Sequence, residues 1–310
     1  MEPSYLRLHK EGILSDRVEN ALKLLESCNL CPRECGVNRT AGEQGYCKTG
    51  RRLKIASYSP HFGEESPLVG SHGSGTIFIS SCNLLCGFCQ NFEISHLREG
   101  VEAGPEQIAR IMIQLAERGC HNINFVTPSH VVPQILESLP LAIEYGLRIP
   151  LVYNSGGYDK KETLEILDGV FDIYMPDFKF WDGTWSERYC RAPDYREKAI
   201  DAICEMYRQV GDLVMDDRGI AQSGLLIRHL VMPDNVADTS KVMNFIAGKI
   251  SGNCYVNVMD QYRPCGNACE DEFIGRRLTT KEFNDAMEAA RKAGLKRLDS
   301  RDRIRLIFGL

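Results

Sequence analysis

The sequence predicts an α/β fold, in which a small cysteine-rich segment over residues 1–70 precedes a strand–helix repeat over residues 71–310. Three observations carry this expectation. Short apolar runs alternate with amphipathic stretches from residue 75 onward, the pattern of buried parallel strands joined by crossover helices. Right-handed crossovers of this kind curve a sheet into a full or partial barrel. A chain of 310 residues, 43% of them hydrophobic, can also bury one large core with a small appendage.

Taken in order, the apolar runs 76–80, 122–126, 149–153, 171–175, 225–231 and 255–259 read as strands, and 304–308 as a further one. Between them, 105–119 reads as a helix that opens with Pro105 in its first turn and closes on Gly119. The stretch 132–145 follows, with Pro140 expected to kink or break it, and then 160–168, 194–210, 239–250 and 280–292. A net charge of −5 gives no general attraction to nucleic acid or to anionic membranes. There is no apolar run of about 18 residues and no charged-then-apolar leader, so a cytoplasmic protein with neither membrane span nor secretion signal is expected. Thirteen cysteines is an odd number, and they fall in tight clusters, which in a cytosolic chain reads as metal binding rather than disulfides.

The sharpest cluster is Cys82, Cys86 and Cys89, in the run Ser-Cys-Asn-Leu-Leu-Cys-Gly-Phe-Cys-Gln-Asn just after the first strand. Chemistry in barrels gathers at the C-terminal ends of strands. Three thiolates spaced CxxxCxxC can ligate three irons of a 4Fe–4S cluster and leave the fourth open, the arrangement of a catalytic cluster. Leu84, Leu85 and Phe88 would wall such a site against water. The competing reading is a structural zinc site or buried free thiols. Upstream, Cys28, Cys31, Cys35 and Cys47 make a complete tetrathiolate for zinc or a second iron–sulfur cluster, and spacing does not choose between them. Cys254, Cys265 and Cys269 form either an auxiliary site or a set of isolated thiols, and Cys120, Cys190 and Cys204 read as packing residues in helical patterns.

The triplet, with Phe88 before its third cysteine and Gln90-Asn91 directly after, resembles the radical S-adenosylmethionine (SAM) superfamily, and most of all pyruvate formate-lyase-activating enzymes and their uncharacterised relatives. The resemblance implies an open (β/α)6 barrel, a 4Fe–4S cluster on Cys82, Cys86 and Cys89, and SAM chelating the open iron. It also implies reductive cleavage of SAM to methionine and a 5′-deoxyadenosyl radical, and a reductant such as flavodoxin or ferredoxin. The hydrogen donor stays open between a glycyl-radical protein and another substrate, namely a peptide, a cofactor precursor or a small molecule. A nonenzymatic iron–sulfur electron carrier is the third alternative.

Four further stretches follow the strands and carry the resemblance. Thr127-Pro128-Ser129-His130 stands where the family has a Gly-Gly-Glu-like turn to the SAM amino group, so Thr127 and Ser129 are candidates there despite the departure. His130 reads equally as a polar ligand or as a residue lining a helix start. Asn154-Ser155-Gly156-Gly157-Tyr158 resembles the family's Asp-Thr-Asn-Gly-Phe segment, which makes Asn154 and Ser155 candidates for polar contacts to SAM. Met175-Pro176-Asp177-Phe178-Lys179 resembles Met-Leu-Asp-Leu-Lys, and strand alternation sends Asp177 and Lys179 to one face. By resemblance Lys179 meets the SAM carboxylate, while Asp177, Met175 and Asn154 belong to a monovalent-cation site that Asn154, replacing an Asp, weakens. A surface ion pair is the plain alternative. Arg228, in Leu-Ile-Arg-His-Leu-Val, resembles the arginine of the family's fifth strand; a charge in an apolar strand needs a partner, which favours a site role. The polar run 257–264 would line the substrate side of the barrel mouth.

Overall fold

The computed structural model describes residues 2–299. Among the described residues ten strands form one mixed sheet: β1 (Leu53–His61), β2 (Ser74–Ile79), β3 (Val101–Ala103), β4 (Ile123–Val126), β5 (Leu151–Ser155), β6 (Ile173–Pro176), β7 (Val214–Met215), β8 (Ala221–Leu230), β9 (Tyr255–Met259) and β10 (Arg297–Leu298). Their order is β10-β9-β8-β6-β5-β4-β2-β1-β3, with β7 paired to β8. The six strands expected from periodicity are β2, β4, β5, β6, β8 and β9, and each is parallel to the next. The full, closed form of the barrel does not occur among the described residues, because the sheet ends on β3 at one side and β10 at the other. The strand expected at 304–308 lies outside the described residues.

The helices follow the 3.6-residue pattern closely: Pro105–Glu117, Val132–Glu144, Lys161–Ile166, Tyr195–Val210, Thr239–Phe245 and Thr280–Lys292. Pro140 does not break Val132–Glu144, which runs on through it. The stretch expected as one helix over 239–250 divides, its second half Ile246–Ile250 being a π-helix. Among the described residues five α-helices were not anticipated: Ser4–Lys10, Ile13–Lys23, Ser66–Val69, Phe92–Ser95 and Gly183–Cys190. The first of these docks through Tyr5, fully buried, whose hydroxyl donates to the Ile149 carbonyl at 2.9 Å, and through the Ser4 N–H, which donates to Asp172 Oδ1 at 2.9 Å.

Strand β1 lies within the N-terminal 70 residues yet pairs antiparallel with β2 and β3. Only Leu53 and Ile55 of β1 are buried, a bulge follows Ile55, and Pro60 sits near its end, so no clean alternation marks it. Between Lys23 and Leu53 there is neither helix nor strand. This stretch carries only a satellite core of Leu25, Cys28 and Leu30. Among the described residues no helix is long and apolar enough to cross a membrane.

Candidate functional site

The loop after β2 carries Cys82, Cys86 and Cys89 at the C-terminal end of the strand where the parallel run meets antiparallel β1. Its turns use left-handed backbone at Ser81 (φ 74°) and Leu85 (φ 52°). Hydrogen bonds seat it from four directions. Ser81 N–H donates to Ile94 O (2.9 Å), Asn83 Nδ2 to Tyr158 O (2.7 Å), Gly87 N–H to Tyr189 O (2.8 Å), and Asn267 N–H to Gly87 O (2.9 Å). Two of the sulfurs accept a hydrogen bond, Cys82 from Leu84 N–H at 3.3 Å and Cys89 from the Ser95 hydroxyl at 3.2 Å. Phe88 is 4% exposed and packs edge-on to Phe180 and Tyr189, with Tyr262 alongside. Of the three residues expected to wall the triad, Leu84 and Phe88 are buried and Leu85 is half-buried. Burial pushes the Cys82 thiol up to about 12 and raises Cys89; for Cys86 the neighbouring Cys190 is the larger cause, ahead of burial. Among the described residues no group of three or more Cys, His, Asp or Glu side chains is closed up into a metal-binding arrangement.

A fourth thiol escaped the sequence reading. Cys190, expected only to pack, ends the helix Gly183–Cys190 with its sulfur 3.4 Å from that of Cys86. Cys204 is exposed and does not pack as expected, whereas Cys120 and Cys254 are buried.

Facing the triad is a buried polar network drawn from the ends of β5, β6 and β8. Lys179 Nζ donates to Asp177 Oδ2 at 2.5 Å, Arg228 Nε to Asp177 Oδ1 at 2.8 Å, and Arg228 Nη2 to Asn154 Oδ1 at 2.7 Å. Glu64 Oε2 stands 3.6 Å from Arg228 Nη1. The side chains of Asp177 and Lys179 are only 12% and 15% exposed, so this is no surface ion pair. Burial alone would raise the Asp177 carboxyl, but Arg228 and Lys179 outweigh it and hold the group below its ordinary range. Burial would likewise lower Lys179, yet Asp177 and Cys86 keep it charged. Asn154 and Asp177, assigned by resemblance to a cation site, already share the guanidinium of Arg228.

Ser155 and Ser129 belong elsewhere. The Ser155 hydroxyl donates to Asp159 Oδ2 at 2.6 Å, Tyr153 donates to Asp159 Oδ1 at 2.8 Å, and buried Ser129 lies against the same pair. Pleating explains the split, since Tyr153 and Ser155 point to one side of β5 and Asn154 to the other. Thr127 adopts φ 64° and its N–H donates to Asn154 O at 2.8 Å. His130 is buried, with Nε2 3.1 Å from Ser80 O; burial and then Arg39 push it down to about 3, so it is neutral near pH 7. His229 lies on the far face of β8, between Phe178 O and the Thr239 hydroxyl.

Asp271 closes the aromatic side of the site. It accepts from the N–H groups of Phe273 and Ile274, from the Tyr189 hydroxyl and from Arg188. Burial would raise its pKa, but these donors hold it at about 2. A carboxylate depressed in the folded state stabilises above its unfolded pKa of about 4 and loses that contribution as pH falls toward its folded value. Asp271→Asn should therefore lower Tm at pH 6, with the gap to wild type closing between about pH 4 and pH 2; a gap unchanged at pH 2 would contradict the assignment.

The fold and site define an α/β protein with cysteines clustered at a strand end and ion pairs buried opposite them. No family model matches the chain. It is 35% identical over 297 residues to the uncharacterized protein MJ0674 of Methanocaldococcus jannaschii, covering 92% of this chain and 80% of that protein. A second uncharacterized protein of that organism, MJ0808, is 23% identical over 245 residues, covering 72% of this chain and 66% of that one. The chain belongs to the family of MJ0674.

Proposed function

We propose that this protein is a radical SAM enzyme of the activating-enzyme type, with β2, β4, β5, β6, β8 and β9 as an open (β/α)6 barrel. The observation that carries the reading is the placement of Cys82, Cys86 and Cys89 at one strand end, opposite buried Lys179, Asp177 and Arg228 from neighbouring strand ends. The donor set fits the cluster: three thiols on one loop, two with hydrogen-bond donors to sulfur, backed by Phe88. When bound, the cluster would supply the electron that cleaves SAM to methionine and a 5′-deoxyadenosyl radical.

The chain's own residues do the positioning. Lys179 and Arg228 present two charges suited to an amino-acid carboxylate. Asp177 keeps both charged until a ligand arrives, and Asn154 fixes the guanidinium plane. Phe88, Phe180 and Tyr189 exclude water from the reacting side. The hydrogen donor is a glycyl-radical protein in the activase form of this reading, or a peptide, cofactor precursor or small molecule, and a flavodoxin or ferredoxin serves as reductant.

A second reading is favoured by one observation, the Cys190 sulfur 3.4 Å from Cys86, which would let four cysteines close the site as in an electron carrier. Anaerobic reconstitution with iron and sulfide separates the two. On the enzyme reading, wild type and Cys190→Ala both release 5′-deoxyadenosine from SAM after reduction. Loss of the cluster in Cys190→Ala, with no release from wild type, would support the carrier and overturn the enzyme.

A further inference from the structure

The 29-residue connection between the helix Ile13–Lys23 and β1 is ordered without a helix, a strand or a core of its own beyond Leu25, Cys28 and Leu30. Segments with so little apolar burial depend on a staple. Cys28, Cys31, Cys35 and Cys47 line one cavity in it, of about 10 Å³. That is roughly the space of one water-sized sphere, so with the side chains as they stand a single ion fits where the eight core atoms of a 4Fe–4S cubane do not. We infer that these four cysteines hold one zinc ion, and that this site locks the Cys82–Cys89 loop in place through Arg33.

The surroundings suit thiolates. Tyr46 N–H donates to Cys35 Sγ at 3.3 Å, and Arg39, 1% exposed, places Nη1 3.9 Å from Cys28 Sγ. Such outer donors are what tune and orient metal ligands. A Cβ on Gly45 would stand 2.6 Å from Cys35 Sγ, so the chain return depends on glycine there. Zinc asks for four sulfurs at about 2.3 Å in a tetrahedron. Rotation about χ1 is the motion that would bring these sulfurs together.

Arg33, between Cys31 and Cys35, reaches the other centre. Its Nε donates to Asn83 O at 2.9 Å, and its Nη atoms donate to Cys190 O at 2.8 Å and Arg191 O at 2.5 Å. Tyr46 stacks on the guanidinium, 3.9 Å from ring centroid to carbon. One planar fork thus ties the triad loop to the end of the helix that carries Cys190. Lysine carries its three donors on one nitrogen and lacks the planar fork that spans these carbonyls.

The zinc assignment stands apart from the proposed function, while the Arg33 link rests on it. Metal analysis of the full chain after anaerobic reconstitution tests both. About one zinc per chain beside the iron is expected, with Cys31→Ser losing the zinc and keeping the iron. Zinc K-edge absorption on wild type should show four sulfur neighbours, which keeps the test independent of how the variant folds. Iron near eight per chain without zinc, zinc retained in Cys31→Ser, or a zinc shell containing nitrogen or oxygen would each overturn the assignment. Arg33→Lys should keep its zinc but lose iron to a chelator about tenfold faster than wild type; an unchanged rate would overturn the link. Zinc without iron would sink the enzyme reading and leave the zinc site standing.

Discussion

Cys86→Ala is expected to bring 5′-deoxyadenosine release from SAM down at least about 100-fold, more than loss of an outer-shell partner costs a metal site. Cys86 is the most buried of the three thiols, at 9% exposure, and the one that meets both Cys190 and the field of Lys179. Removing it leaves two ligands, too few to hold a cubane with a single open iron. Product assay after reduction, with iron counted on the same sample, reads both effects at once. Release at the wild-type rate would mean that the chemistry lies elsewhere in the molecule.

Gly157→Ala should destabilise the fold by at least about 3 kcal/mol. Gly157 holds φ 76°, and a Cβ there would stand 2.0 Å from the Asp177 carbonyl oxygen and 2.9 Å from the Tyr195 hydroxyl. Backbone, not a flexible tip, is the obstacle. The same carbonyl accepts from Tyr195 at 3.0 Å, and Tyr195 in turn receives the Lys179 N–H at 2.9 Å. Displacing it disturbs the segment that carries the buried ion pairs as well as the strand end. Urea unfolding measures the loss, and a variant within about 0.5 kcal/mol of wild type would contradict the close approach.

Local periodicity made much of this molecule legible. The central parallel strands and most of their crossover helices follow from apolar spacing, and Asp177 and Lys179 meet because alternation sends them to one side. What escaped depends on contacts far apart along the chain. Cys190 lies 104 residues from Cys86, and Arg33 reaches carbonyls 50 and 158 residues away. Neither residue stands out in its own neighbourhood. The pairing of Ser155 with Asp159 was open to the same alternation argument, which separates it from Asn154. Strand β1 was hidden because its second half faces outward, so pattern and pairing part company there.

The carboxylate of Asp177 sits between two cations, taking one on each oxygen. On the proposed function, a ligand bearing its own carboxylate would arrive at a socket that is already filled. Entry would then be an exchange of one anion for another, with Asp177 turned aside but left nearby. The arriving carboxylate would meet two cations already partly balanced by Asp177, so ionic strength should have less hold on affinity than two bare cations would allow. The unliganded protein also avoids the cost of burying positive charge alone. Asp177 is in this sense a resident understudy, keeping the pocket formed between visits.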